Sequence, residues 1–275
     1  MSKSSLSSVY QYSSESGHLQ RGLADIQQGV RRRLWWDLAK RDLRERYHGA
    51  ALGVVWVLIT TAMLSAGLAV IYSQVFSVDM AQFLPYVTAG ISVWSFVSGL
   101  LTDSTQVFTT AASYFKQLPM PTSVFVYRMV ARNICFMILR IVVVVVVLIL
   151  LGREFQWVQL QAVFGLVTIA VWGVGLGFLV GPIAARYRDL SQAIVAGTTF
   201  AFFVTPVFWY ADKLQEYAFV VWWNPLYHML ESVRQPLLGE ASGIHLQIAV
   251  VIALVTLAAG TAVYSSTRSK LFYWC

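Results

Sequence analysis

His228 and Glu231 stand one helical turn apart, where an imidazole and a carboxylate could share a proton or a metal ion. No second histidine supplies the HExxH spacing of a zinc site, so no metal is expected and the pair reads as a polar contact. Acids and histidines do not converge along the apolar stretches, where Asp103 stands alone at one edge. A membrane-embedded glycosyl or acyl transferase would need such convergence. No GxxxxGK[ST] phosphate loop occurs, so the chain is not expected to hydrolyse ATP by itself. Cys135 and Cys275 are too far apart to suggest a disulfide framework or a metal spacing. No catalytic residue is assigned.

Arg140 is out of place in its surroundings. Eleven apolar residues, Ile141–Leu151, follow it, about 16 Å of helix. A charge so far from either membrane surface normally faces protein or water. It either lines a polar pathway or pairs within the bundle. Arg128 and Arg132, a turn apart near the inner end of the same run, can snorkel to the surface.

These residues need spanning helices to position them. Hydrophobic residues make up 57% of the 275 and charged residues 12%, with a mean hydropathy of +0.63. Soluble domains carry about a quarter charged residues. Six stretches are long and apolar enough to cross a bilayer: 53–77, 83–102, 133–151, 158–185, 190–210 and 244–266. In lipid each must be helical, because unpaired backbone groups are too unfavourable there. The expected class is therefore an all-α integral membrane protein with six transmembrane helices. Gly173, Gly177 and Gly181 in the fourth span suit close helix packing.

Charge orients the spans. With the N-terminus inside, sixteen of the twenty Lys and Arg fall on the inner side and only Arg153, Lys213 and Arg234 outside. Both ends are then cytoplasmic. The same distribution, flanking apolar runs, argues that the +7 net charge does not mark a nucleic-acid binder. Residues 1–28 are Ser- and Gln-rich without an apolar core; they read as a flexible cytoplasmic tail with no signal peptide. Residues 29–275 form the transmembrane domain.

Three segments flank the spans. Residues 30–47 read as an amphipathic helix at the cytoplasmic surface, with Trp35, Trp36, Ala39, Leu43 and Tyr47 on one arc. Lipid anchoring is part of its task, and its acids leave room for a protein partner. Residues 103–122 carry Val107, Phe108, Ala111 and Phe115 on one face before Pro119 and Pro121. That segment is either a short force-transmitting helix or an extension of the second span. Between spans five and six, Trp222-Trp223-Asn224-Pro225 breaks a long apolar loop. It reads as a re-entrant helix pair or as an interfacial pair lying flat with tryptophan anchors.

Three motifs, in order, carry a resemblance. The first is Lys40-Arg41-Asp42-Leu43-Arg44-Glu45-Arg46-Tyr47 leading to Leu52-Gly53-Val54-Val55-Trp56. The second is Ala185-Arg186-Tyr187-Arg188-Asp189-Leu190, followed by Thr205-Pro206-Val207-Phe208. The third is Trp223-Asn224-Pro225-Leu226, continuing through Glu231, Arg234 and Leu237-Leu238-Gly239. Over about residues 30–270 the chain resembles the membrane (permease) subunit of bacterial polysaccharide-export ABC transporters, the type-2 exporters of O-antigen, capsule and teichoic acid. The resemblance implies a homodimer in the inner membrane with two copies of a separate ABC ATPase. ATP and Mg would bind that partner, and no cofactor this chain. It implies an ATPase interface at Arg41, Arg44, Arg46, Phe108, Phe115, Lys116, Arg186, Arg188 and Asp189. It implies an outer gate at Trp222, Trp223, Asn224, Pro225, Glu231 and Arg234. A lipid-linked polysaccharide would thread past Trp56, Trp94, Phe96, Phe200, Phe203, Trp209 and Tyr210, since aromatic faces stack on sugar C–H bonds. The same fold exporting a drug, lipid or peptide, or a channel without an energy source, remains the alternative.

Overall fold

The computed structural model describes residues 17–31, 33–46, 52–112, 120–211 and 218–274, and among them every regular element is helical. In chain order these are α1 (His18–Arg31), α2 (Leu34–Arg46), α3 (Val55–Phe76), α4 (Met80–Ser104) and α5 (Val124–Leu150). A 3₁₀ turn, Trp157–Leu160, leads into α6 (Gln161–Arg186), followed by α7 (Asp189–Val204), α8 (Ala218–Trp222), α9 (Pro225–Leu237) and α10 (Gly243–Thr267). The chain closes through a second 3₁₀ turn, Arg268–Lys270, into α11 (Leu271–Trp274).

Five helices are long and apolar enough to cross a membrane: α3, α4, α5, α6 with its entry turn, and α10. The sixth expected span, 190–210, is shorter than its apolar run. Helix α7 stops at Val204 after 16 residues, about 24 Å against a hydrocarbon core of about 30 Å. Pro206 is the cause: it lacks an N–H and holds Thr205 extended, at φ −87° and ψ 133°. Helix α5 runs the other way, beginning nine residues before the expected span and carrying Arg128 and Arg132 on its first turns.

Helices α6 and α10 make the most extensive contact of the bundle. Their backbones meet at Gly175 and Gly260, where a Cβ on Gly260 would collide with the Gly175 carbonyl. The Gly173, Gly177, Gly181 stripe admits other neighbours: Leu100, Val126, and the pair Val107 and Phe108. Phe83, Phe96, Leu100, Ile169 and Phe178 belong to one buried core built largely by α4, α5 and α6. Helices α3 and α10 bury a smaller share of their spans than α4 and α6, and α7 buries no residue.

The N-terminal region departs from the expected tail and single amphipathic helix. Residues 18–31 form α1, whose Asp25 is only 1% exposed. Gly22 and Gly29 let α1 lie directly on Ser265 of α10 and on Ser123 ahead of α5. The helix expected over 30–47 is split between α1 and α2. The Trp35 indole donates to the Val30 carbonyl at 3.3 Å, the oxygen that a continuous helix would spend on the amide four residues later. Helices α1, α2 and α11 and the α4–α5 and α6–α7 connections gather at one end of the bundle, here the basic end. The α3–α4 and α5–α6 turns and α9 lie at the far end.

Candidate functional site

A cavity of about 500 Å³ opens between α4, α5 and α7. On α4 it meets Trp94, Ser95, Ser98 and Thr102, spaced so that a helix presents them on one side. On α7 it meets Thr198, Thr199, Phe202 and Phe203. Arg140 of α5 also lines it. It is the seventeenth residue of α5, about 24 Å from the basic end and 15 Å from the far end. The polar-pathway alternative for Arg140 therefore has a wall to belong to. Trp94 and Phe202 are tilted together at 5.7 Å, and Phe202 meets Phe203 edge-on at 5.4 Å. Most hydroxyls here fold back on their own helices: Ser95 donates to the Ile91 carbonyl at 2.7 Å and Thr198 to that of Ile194 at 2.7 Å. Their oxygens keep acceptor capacity toward the cavity. The wall thus offers flat rings, acceptors and one guanidinium.

Of the expected path residues, Trp94 and Phe203 line this cavity, and Phe200 stands on the same helix with 70% of its surface exposed. Trp56 sits exposed in the first turn of α3. Phe96 is packed in the core on another side of α4 and does not line this cavity. Trp209 and Tyr210 belong to the far end, in the irregular segment after α7.

That segment is held by Arg234, which is 1% exposed. Its guanidinium pairs with Glu231 one turn earlier and donates to the Pro206 carbonyl at 2.7 Å and the Val207 carbonyl at 3.3 Å. It also lies 4.0 Å above the Tyr86 ring. Tyr86 donates its hydroxyl to the Trp209 carbonyl at 2.9 Å, and its ring meets that of Tyr210 at 4.4 Å. Backbone carbonyls left without helical partners where Pro206 ends the helix are buried away from water, and these side chains take water's place. Glu231 and Arg234 are therefore a buried staple rather than charges presented to a passing ligand. Asn224 caps α9 through the Leu226 amide at 2.9 Å and reaches Thr205 at 2.8 Å, with Pro225 as the first helical residue. Trp223 is 86% exposed, while Trp222 stacks on His245 at 5.4 Å. His228 bonds not to Glu231 but to His245, ring nitrogens 3.0 Å apart, and to the Trp222 carbonyl at 2.8 Å.

At the basic end, carboxylates bind the surface helices to the bundle. Asp42 of α2 takes a two-point bond from Arg128 and a third from Arg132 at 3.3 Å. Asp103, alone in sequence, accepts from Arg132 and Asn133, each at 2.8 Å. Asp25 of α1 accepts from the Ser123 amide at 3.0 Å and the Tyr264 hydroxyl at 2.5 Å, and pairs with Arg268 at 2.8 Å. Arg41 and Arg44 face outward, Arg41 bonded to Glu45 at 2.6 Å, and Arg46 covers the Phe136 ring at 4.9 Å. Arg186, over the rings of Tyr187 and Trp274, is exposed with Arg188 and Asp189. Phe108 does not face outward. It is fully buried, stacked on Tyr264 at 6.1 Å and against Gly181, so the apolar face of this segment is core. Gln106, Thr109 and Thr110 are the outward side. Phe115 and Lys116 lie outside the described residues.

A model of the ABC-2 type transporter family matches residues 33–238. The chain belongs to that family. Members are membrane subunits of transporters, working with an ABC ATPase rather than being catalytic themselves. The chain is 24% identical to the O-antigen export system permease protein RfbA of Klebsiella pneumoniae, over 72% of this chain and 77% of that one. It is 22% identical to the protein of the same name from Myxococcus xanthus, over 85% and 92% respectively. This ABC-2 chain is thus a polytopic membrane protein similar to polysaccharide-export permeases along most of its length.

Sequence reasoning missed Tyr86 and the Ser95, Ser98, Thr102 row. The row had a signal, its i, i+3, i+7 spacing in an apolar run. Tyr86 had none, since its role depends on Arg234, far away in the chain.

Proposed function

We propose that this chain is the membrane half of an ATP-driven exporter that moves a lipid-linked polysaccharide such as O-antigen across the bacterial inner membrane. Two copies would work with two copies of an ABC ATPase. The observation that carries the reading is the cavity between α4, α5 and α7. Rings of Trp94, Phe202 and Phe203 suit the C–H faces of sugars, and the hydroxyl row suits their O–H groups. Stacking is tolerant of sequence and individually weak, which lets a polymer advance. The names of the two relatives support the same substrate class.

The other parts fit around that cavity. The excess of Lys and Arg argues that the basic end is cytoplasmic, with both termini there. In that orientation α7 and the segment stapled by Arg234 act together as the sixth crossing, and α8 and α9 as the outer gate. Exposed Arg41, Arg44, Arg186 and Arg188 offer the ATPase a charged surface. A cleft of about 260 Å³ bounded by Asp103, Gln106, Arg128 and Arg132 lies beside them. ATP-driven closure of the partner would be passed through α2, because Asp42 couples it directly to α5.

The test is co-expression with a candidate ATPase in a strain lacking its own exporter, scoring surface glycan and ATPase activity. Trp94→Leu and Phe203→Leu should reduce surface glycan about tenfold or more while the ATPase still co-purifies. Surface glycan that does not depend on this chain would sink the exporter reading. Export of apolar drugs, with glycan unaffected, would move the substrate class.

A further inference from the structure

The far end holds a polar cleft separate from the cavity between α4, α5 and α7, sharing only Tyr210 with the expected path. It measures about 380 Å³ and lies where α4, the end of α5 and the end of α9 meet. Among the described residues three carboxamides line it, those of Gln82, Gln156 and Gln159, with the carboxylates of Glu154 and Glu240. Gln159 is built into the wall: it donates to the Leu237 carbonyl at 3.2 Å and accepts from the Gln156 amide at 3.3 Å. Gly239, at φ +94°, leaves room for the Gln156 amide oxygen, which a Cβ would crowd at 2.7 Å. The rings of Tyr86 and Tyr210 form another wall.

The cleft continues into an apolar groove. A groove of about 360 Å³ along the α5–α6 seam shares Leu148, Arg153, Glu154 and Gln159 with it. A further groove of about 240 Å³ shares Ile141, Val163 and Leu166 with the first and reaches Ile134. From Ile134 to Ile149 this seam runs along roughly 22 Å of helix. Its change from apolar to polar coincides with the end of α5 at Leu150, where the membrane's hydrocarbon must also end.

We infer that this continuous surface is a lipid site, taking a bilayer glycolipid with its chain along the α5–α6 seam and its sugar headgroup in the cleft. Each part selects. The seam is lined by Ile, Val, Leu and Met side chains and accepts only hydrocarbon. Among the described residues one cation in the cleft, Arg153, stands against two carboxylates, so a phosphate headgroup meets net negative charge there. Carboxamides both donate and accept, as sugar hydroxyls do, and tyrosine faces cover sugar C–H bonds. The site depends on the chain spanning a membrane but not on its exporting glycan. The outward orientation adds only that the lipid comes from the outer leaflet.

The test uses the chain purified with its ATPase in a polyoxyethylene detergent, with native mass spectrometry counting bound ligand. The probes are dodecyl maltoside, dodecyl phosphate, dodecanol and maltose. Dodecyl maltoside should bind about tenfold more tightly than any probe lacking the sugar or the chain. Gln82→Ala with Glu240→Ala should remove the preference for maltoside over phosphate. Val163→Trp, a lipid-facing change that fills the seam, should weaken maltoside binding about tenfold without altering the preference. Unchanged ATPase activity and elution show that both variants are folded. Equal binding of dodecyl phosphate to the wild type, or full maltoside binding by both variants, overturns the site. Surface-glycan assays are independent of either result, so failure here leaves the exporter reading standing.

Discussion

Arg234 carries a full charge into the protein interior and spends it on backbone. Two carbonyls, one carboxylate and one ring surround it. Arg234→Met should lower stability by about 3–5 kcal/mol, the usual effect of leaving a buried partner charge uncompensated. Adding Glu231→Gln should recover part of that loss, but not the share belonging to the Pro206 and Val207 carbonyls. Thermal unfolding of the purified protein in detergent reads both. Phe108 invites a different expectation from the one its sequence suggests. Phe108→Asp buries a carboxylate against Tyr264 and Gly181 and should abolish recovery of folded protein rather than uncouple it. Thr109→Asp, on the outward side, should leave size-exclusion behaviour unchanged and lower ATPase association. In sequence Phe108 and Phe115 carried the same signal, an apolar face on a short segment near the membrane. Periodicity reports that a face is buried, not whether self or partner buries it.

Helices were the most legible level, and their ends the least. The five long apolar helices could be read directly because lipid allows few alternatives to the helix. The end of α7 was hidden because Leu190–Tyr210 stays apolar past Pro206, and composition cannot say that Arg234 will cap the released carbonyls. The split between α1 and α2 turns on one indole hydrogen bond, from Trp35 to Val30. Helix α1 itself is polar enough to read as tail, since it docks through two glycines, one aspartate and Ile26, while Leu19, Leu23 and Val30 stay exposed. That mode of docking has a direct test. Gly22→Val with Gly29→Val should push α1 off Ser265 and Ser123. Trypsin cleavage at Arg31 should then rise about tenfold for each ~1.4 kcal/mol of docking lost. Cleavage at the wild-type rate would mean that α1 is held by something other than close approach.

At the scale of the whole molecule, burial is uneven. Helices α4 and α6 are well covered, while α3 and α7 present Met63, Leu64, Ile71 and Phe200 outward. A homodimer closing on these faces would cover the cavity that α7 lines. Single cysteines at Leu64 and Phe200, in a background without Cys135 and Cys275, should form disulfides between copies in native membranes. Val167→Cys, on the α5–α6 seam, should not. Crosslinking only at Val167 would put the interface on the wrong flank. The Asp25 cluster has its own consequence at this scale, one of timing. Its donors are Ser123, Tyr264 and Arg268, and the last two are made more than two hundred residues after Asp25. While the chain is being synthesised, α1 emerges early but cannot settle until α10 has been inserted. A ribosome stalled before Tyr264 would leave α1 loose, so quality-control proteases could tell an unfinished chain from a finished one at its first helix.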